Sequence, residues 1–167
     1  MISTAFLRQN DIFFDLDERQ LEQIAAICRE QGFGSGEMIF EENSASDELY
    51  IIVRGEIEIL IDPNLVSDRP EAALRPTTIA TLRRGQSFGE VALVDQGLRS
   101  ASARSASHDT QLLVIPRDNL MALCEEAPDL GFRLMRNLAA ELAVKMRSTD
   151  LRMREELLAA QRPRRSG

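Results

Sequence analysis

The chain has 167 residues, 44% of them hydrophobic, and a formal net charge of −7. This length and composition are typical of one folded domain with a substantial core, and the net negative charge argues against general affinity for nucleic acids. Residues 1–10 lack both a basic start and a long apolar stretch, and no apolar run reaches about 18 residues, so we expect no secretory signal, no membrane span and a cytoplasmic location.

The residue types that build metal centres are scarce in this sequence. It has one histidine, His108, and two cysteines, Cys28 and Cys124, which lie far apart within apolar patterns. We therefore expect no metal site, and two buried free thiols rather than a disulfide.

The first predicted element is an amphipathic helix. Asp17 and Gln20 have the spacing of a capping box, and apolar residues at helical spacing follow, which predicts a helix that ends near Glu30. Three glycines at alternate positions then interrupt helical continuation. Residues 38–40 have the composition of a short strand.

Several short strands are predicted next. Residues 49–53 and 57–61 are apolar and β-branched, and Gly55 between them favours a hairpin turn. Residues 62–76 contain three prolines and no clear period, which predicts a long flexible loop before a strand at 77–82.

Two more strand-like segments follow, at 101–107 and 111–115. Short strands at this density, separated by glycines, indicate a small antiparallel barrel or jelly roll. The predicted fold class is therefore α+β, mainly β: an antiparallel β-barrel or jelly roll flanked by an N-terminal helix and a long C-terminal helix.

One stretch between these strands carries the residues that point to function. Gly89 and Glu90 open a short apolar turn, residues 91–94, whose first N–H groups have no intrahelical partner and suit an anion. Arg99 follows on what we expect to be an exposed turn, where its guanidinium can bond a phosphate through two parallel N–H groups. Because an ionised carboxylate accepts hydrogen bonds from hydroxyl groups, Glu90 beside Arg99 predicts a site for a sugar and a phosphate.

This stretch resembles the phosphate-binding cassette of cyclic nucleotide-binding domains, a family that includes the sensor domains of catabolite-activator-type regulators and the regulatory subunits of cAMP-dependent kinase. Leu98 is a departure, because many members have proline before the arginine. The alternative is that Glu90 and Arg99 simply pair with each other on a loop surface. The resemblance implies a fold of the same architecture and a cyclic nucleotide as ligand, with contacts from Phe88, Gly89, Glu90, Val91, Ala92, Arg99, Ser100 and Ala101.

A long helix is predicted to start at Pro128 and to run for about 30 residues, longer than one small barrel can cover. A coiled-coil-like spacing along it predicts a homodimer, and the alternative is a single helix folded back on its own barrel. We divide the chain into a barrel with its N-terminal helix (1–127), a lid and dimerisation helix (128–161) and a disordered basic tail (162–167). The predicted seam comprises Met135, Ala139, Leu142, Met146, Thr149 and Met153, continued by Leu157 and Ala160.

In the resembling bacterial regulators, this helix also covers the base of the ligand, and a polar pair on it contacts the adenine amino group. The resemblance therefore implies that Thr149 contacts the base, and Ser148 and Asp150 are further candidates. The alternative is that all three are merely solvated or tolerated polar residues.

We interpret the chain as a cyclic nucleotide sensor, most simply for cAMP, that couples binding to the long helix and the dimer. The alternatives are a cGMP sensor and an interaction or scaffold protein that keeps the fold without a ligand. No nucleophile, base or metal pattern suggests an enzyme or a cofactor. No helix-turn-helix pattern follows the long helix, so we expect no direct DNA binding and an output to a downstream protein that the residues do not identify.

Overall fold

The computed structural model describes residues 2–45, 47–65, 75–95 and 97–161. Helices flank the strands at both ends of the chain, and short 3-10 helices lie at Asp11–Phe13 and Pro63–Leu65. In chain order the elements are α1 (Thr4–Leu7), α2 (Glu18–Ile27), β1 (Arg29–Phe33), β2 (Met38–Phe40), β3 (Glu48–Arg54), β4 (Glu56–Ile61), β5 (Thr77–Arg83), β6 (Ser87–Phe88), α3 (Glu90–Asp95), β7 (Ser102–Ser105), β8 (Thr110–Pro116), α4 (Arg117–Glu126) and α5 (Pro128–Ala160).

The strands form two four-stranded antiparallel sheets with the orders β1-β8-β3-β6 and β2-β7-β4-β5. The fold is a β-sandwich of these two sheets with flanking helices and a long C-terminal helix, so the predicted fold class is confirmed. Among the described residues, no helix combines the length and the apolar character needed to cross a bilayer.

The central strand β3 is buried on both faces, and its alternation divides the core into two clusters. Leu49 and Ile51 belong to the cluster that packs against the helices, whereas Tyr50 and Ile52 belong to the cluster between the two sheets. The paired strand β8 alternates in the same way. The first sheet is therefore covered by helices on one face and by the second sheet on the other.

The N-terminal helix is only partly as predicted. The capping box is confirmed, because Asp17 Oδ1 accepts from the Gln20 N–H at 2.8 Å and Gln20 Oε1 accepts from the Asp17 N–H at 3.0 Å. The predicted end near Glu30 is wrong: the helix ends at Ile27, and β1 begins at Arg29. All five residues of β1 pair with β8, and this tertiary pairing overrides the local sequence preference.

Apart from β1, the predicted strands and turns correspond closely to the structure, with two further differences. The two-residue strand β6 was not predicted, and the predicted loop at 62–76 includes the short 3-10 helix, while residues 66–74 lie outside the described residues. Both thiols are free, as expected, but they are half-buried where we expected them to be buried. Burial raises the pKa of the Cys28 thiol to about 12 and also raises that of Cys124.

The helix α5 starts at Pro128, as predicted, and its 33 residues correspond to a length of roughly 50 Å. Its first three turns are part of the core, and Met135, the first residue of the predicted seam, packs against that core. Residues 146–161 are all exposed, although Arg152 Nη1 still donates to the Ile79 carbonyl of β5 at 2.8 Å. The homodimer and the helix folded onto its own barrel both stay predictions. The predicted tail at 162–167 lies outside the described residues.

Candidate functional site

The turn from β6 into α3 carries the first predicted site residues. Gly89 has a φ of +83°, and a Cβ built on it would lie 2.5 Å from Nη1 of Arg99. Because glycine has no Cβ, it adopts this positive φ without strain and leaves room for the Arg99 guanidinium, which no other residue does. Glu90 is the first residue of α3 and is 5% exposed.

The sequence analysis expects Arg99 on an exposed turn, and this prediction is wrong. Its side chain is buried, with 3% of the residue exposed. The reason is a set of backbone contacts with the segment between β2 and β3. The Arg99 N–H donates to the Ser44 carbonyl at 2.9 Å, and the Arg99 carbonyl accepts from the Asn43 N–H at 2.8 Å. Long-range pairing therefore holds the arginine turn against the barrel.

The guanidinium of Arg99 is fixed by two carbonyl groups and an aromatic ring. Nη1 donates to the Gly89 carbonyl at 3.1 Å and Nη2 to the Glu48 carbonyl at 2.9 Å, while the guanidinium carbon lies 4.0 Å from the centroid of the Phe40 ring. Nε is buried and has no hydrogen-bond partner among the described residues. Burial lowers the pKa of this guanidinium, and the nearby acidic groups and Tyr50 oppose that effect. An arginine retains its charge in such surroundings.

Glu90 pairs with a residue that the sequence analysis did not single out. Its Oε1 accepts from Nζ of Lys145 on α5 at 2.7 Å. The described residues contain no ion pair between Glu90 and Arg99, so the alternative of a simple surface pair is wrong. The two side chains are held by different partners, Glu90 by Lys145 and Arg99 by two backbone carbonyls.

Lys145 connects α5 to the turn between β6 and α3. Its Nζ also lies 3.3 Å from the Ser87 carbonyl and 3.0 Å from Oε1 of Glu141, one helical turn earlier. Burial alone would lower the pKa of Lys145, but Glu90 and Glu141 together outweigh it and raise that pKa. The i, i+4 spacings to Glu141 and to Thr149 were visible in the sequence and place all three side chains on one side of the helix.

A cavity of about 490 Å³ lies between these groups, the second sheet and α5. This volume is in the usual range for small-molecule sites. One end is polar, with Glu90, Arg99 and Ser100, and the remainder of the wall is largely apolar. The lining residues that the sequence analysis missed are Phe40, Ile59, Ile61, Ile79, Ala80, Leu82, Val144, Lys145 and Arg152.

Most of the residues predicted for the site come together around this cavity. Asp150 does not line it, in contrast to its predicted neighbours on the helix, and nothing is described of the Ala92 side chain. The described residues include no group of three or more His, Cys, Asp or Glu side chains placed to hold a metal ion. The predicted residues that line the cavity are Phe88, Gly89, Glu90, Val91, Arg99, Ser100, Ala101, Ser148 and Thr149.

Comparison with known families agrees with this arrangement. Residues 30–127, more than half of the chain, match the cyclic nucleotide-binding domain. The chain belongs to this family. The resemblance stated from the sequence is therefore confirmed.

The relatives of this domain include proteins named for both cyclic nucleotides. The cyclic AMP receptor protein of Thermus thermophilus is 29% identical over 147 residues, covering 88% of this chain and 62% of the relative. Isozyme 1 of the Drosophila melanogaster cGMP-dependent protein kinase is 27% identical over 150 residues, covering 90% of this chain and 19% of the kinase. The crystal structure of the Thermus thermophilus catabolite activator protein has a TM-score of 0.71 at 29% identity, covering 90% of this chain and 63% of that one. The chain thus spans less than two thirds of the length of these relatives.

Proposed function

We propose that this domain is a sensor that binds cAMP in the cavity beside Glu90 and Arg99. The observation that carries the proposal is the polar end of the cavity, where a buried carboxylate and a buried guanidinium are held by different partners. Arg99 bonds the cyclic phosphate, with help from the Ser100 hydroxyl and the first N–H groups of α3. Glu90 accepts a hydrogen bond from the ribose hydroxyl.

The rest of the cavity suits a purine. Isoleucine and leucine side chains from β4 and β5 supply apolar surface for the faces of the base, and Val144 supplies it from α5. Thr149 favours adenine, because its hydroxyl donates to the Lys145 carbonyl at 3.0 Å and its oxygen is left as an acceptor. The adenine amino group is a donor, whereas guanine has a carbonyl oxygen at the same position.

Isothermal titration calorimetry with cAMP and cGMP tests this function. We expect cAMP to bind one site per chain and more tightly than cGMP, and adenosine, which lacks the phosphate, to give no measurable binding. Tighter binding of cGMP would contradict the adenine assignment and favour the cGMP sensor. If neither nucleotide binds, the alternative of a ligand-free interaction or scaffold protein is supported instead.

We further propose that the outer part of α5 forms a homodimer through the predicted seam. Met146, Met153 and Leu157 are exposed and recur along one side of the helix. A second apolar stripe, Leu151 and Leu158, lies on roughly the opposite side. Exposed apolar stripes of this kind are typical of protein interfaces. Because the cavity is also lined by α5, a ligand that contacts this helix can bind two dimer arrangements with different affinity.

Paired substitutions distinguish the two stripes. Met153→Lys with Leu157→Lys places four positive charges in a two-fold seam, so we expect light scattering to report a monomer. The matched control, Leu151→Lys with Leu158→Lys, adds the same charge on the other side and should leave the dimer intact. A parent protein that is already monomeric at micromolar concentration, with and without cAMP, would contradict the dimer, and disruption by the control pair alone would contradict the seam.

A further inference from the structure

Lys145 is held between two carboxylates that lie on different elements. Nζ is 2.7 Å from Oε1 of Glu90, on α3, and 3.0 Å from Oε1 of Glu141, on its own helix. Glu90 lines the cavity, whereas Glu141 does not. One ammonium group therefore contacts both a residue that faces the ligand cavity and a residue outside it.

Glu141 has a hydrogen-bonding capacity that its surroundings leave unused. Its Oε1 accepts from the Ser87 hydroxyl at 2.8 Å and contacts Lys145. Its Oε2 is buried and has no hydrogen-bond partner among the described residues. A buried carboxylate oxygen without a donor is unfavourable, so a donor that reached it would be bound strongly. Among the described residues, the ammonium group that contacts this carboxylate is that of Lys145.

We propose that the Lys145 ammonium group, which contacts Glu90 and Glu141 together, transfers wholly to Glu141 when the ribose of a bound cyclic nucleotide bonds to Glu90. This inference rests on the proposed function. The ammonium charge stays paired during the transfer, because Nζ already lies 3.0 Å from Oε1 of Glu141, and the Glu90 carboxylate accepts the ribose hydroxyl in place of the lysine. Glu141 is thus a positioning residue: it affects nucleotide affinity through Lys145 and does not touch the ligand.

The transfer also connects the ligand to α5. Beyond Leu138, the last buried residue of α5, the described polar contacts between α5 and the barrel are few: Glu141 to Ser87, Lys145 to Glu90 and Ser87, and Arg152 to the Ile79 carbonyl. Release of Glu90 removes one of these contacts when the nucleotide enters. The ligand then connects α5 to the barrel in place of the contact between Lys145 and Glu90.

A double-mutant cycle in the purified chain tests the transfer. Glu141→Gln keeps the shape of the side chain and an Oε1 acceptor for Ser87 but removes the charge that would receive Lys145. We expect it to weaken cAMP binding by about tenfold, because the lysine then competes with the ribose for Glu90. In a Lys145→Met background the same Glu141→Gln change should alter the affinity by less than about twofold, since no lysine remains to compete.

The outcomes separate this inference from the proposed function. An equal effect of Glu141→Gln with and without Lys145, or no effect at all, overturns the transfer while nucleotide binding stands. A parent protein that binds no cyclic nucleotide overturns the proposed function and the inference with it. If Lys145→Met does not fold, Lys145→Gln replaces it in the cycle.

A measurement on the unsubstituted protein gives an independent check. The ¹⁵Nζ resonance of Lys145 should shift when cAMP saturates the site, because its hydrogen-bond acceptors change. It should stay protected from rapid hydrogen exchange, since Glu141 retains it. An unchanged resonance, or one that becomes freely exchanging with solvent, would contradict the transfer.

Discussion

Replacing Arg99 by alanine is expected to weaken cAMP binding by about 30-fold to 1,000-fold, which corresponds to roughly 2 to 4 kcal/mol. The Arg99 guanidinium lies at the polar end of the cavity, and the Gly89 and Glu48 carbonyls fix its position. It is 3% exposed, so the position is determined before the ligand arrives. A charge that needs no reorganisation contributes more to binding than a mobile surface charge.

The same substitution is also expected to lower the free energy of unfolding, by about 1 to 3 kcal/mol. The Gly89 and Glu48 carbonyls lose a donor, and the Phe40 ring loses the guanidinium packed against it. Thermal unfolding followed by circular dichroism measures this loss, and calorimetry at a temperature where the variant is folded measures the affinity.

Arg99→Lys is the matched control for this variant. It retains the positive charge, but an ammonium group cannot bond both carbonyls in a fork and stack on Phe40 at the same time. We therefore expect an affinity between those of the parent and of Arg99→Ala. Binding of cAMP by Arg99→Ala with the parent affinity would contradict the assignment of this residue to the phosphate.

The cassette could be predicted from the sequence because its chemistry is local. Gly89, Glu90 and Arg99 lie within eleven residues, and the spacing itself limits where their side chains can meet. Lys145 could not be found in the same way. It is separated from Glu90 by 55 positions, and the side of α5 that faces the cavity is determined by how the helix packs on the barrel.

The burial of Arg99 was missed for a related reason. Its turn has a polar sequence and was expected at the surface, yet Asn43 and Ser44 pair with its backbone from more than 50 residues away. The strand β1 shows the same limit in the fold: Arg29 to Phe33 contain little apolar alternation, and the strand exists because β8 supplies its hydrogen bonds. Elements with strong internal periodicity were predicted well, whereas those defined by a distant partner were not.

Gly89→Ala is expected to weaken cAMP binding although it adds only a methyl group and removes no hydrogen-bonding group. At a φ of +83°, an alanine carries a backbone strain of about 1 to 2 kcal/mol. Its Cβ would in addition lie 2.5 Å from Nη1 of Arg99 and 3.1 Å from the Glu48 carbonyl oxygen. The guanidinium must therefore move, and with it the donors that would receive the phosphate.

Gly36 offers a control that separates strain from collision. Its φ is +81°, almost the same as that of Gly89, but a Cβ there would meet nothing within 4 Å. Gly36→Ala should therefore lower the unfolding temperature through strain alone and leave the affinity for cAMP unchanged. Gly89→Ala should lower the unfolding temperature further and weaken cAMP binding by about tenfold or more. The affinity falls because displacing the arginine by a few tenths of an ångström lengthens its charge-assisted hydrogen bonds, whose strength depends on close contact. Equal affinities for the two variants would mean that the position of Arg99 does not control binding, whereas an affinity lost in Gly89→Ala alone would assign the effect to the contact between the glycine and the arginine.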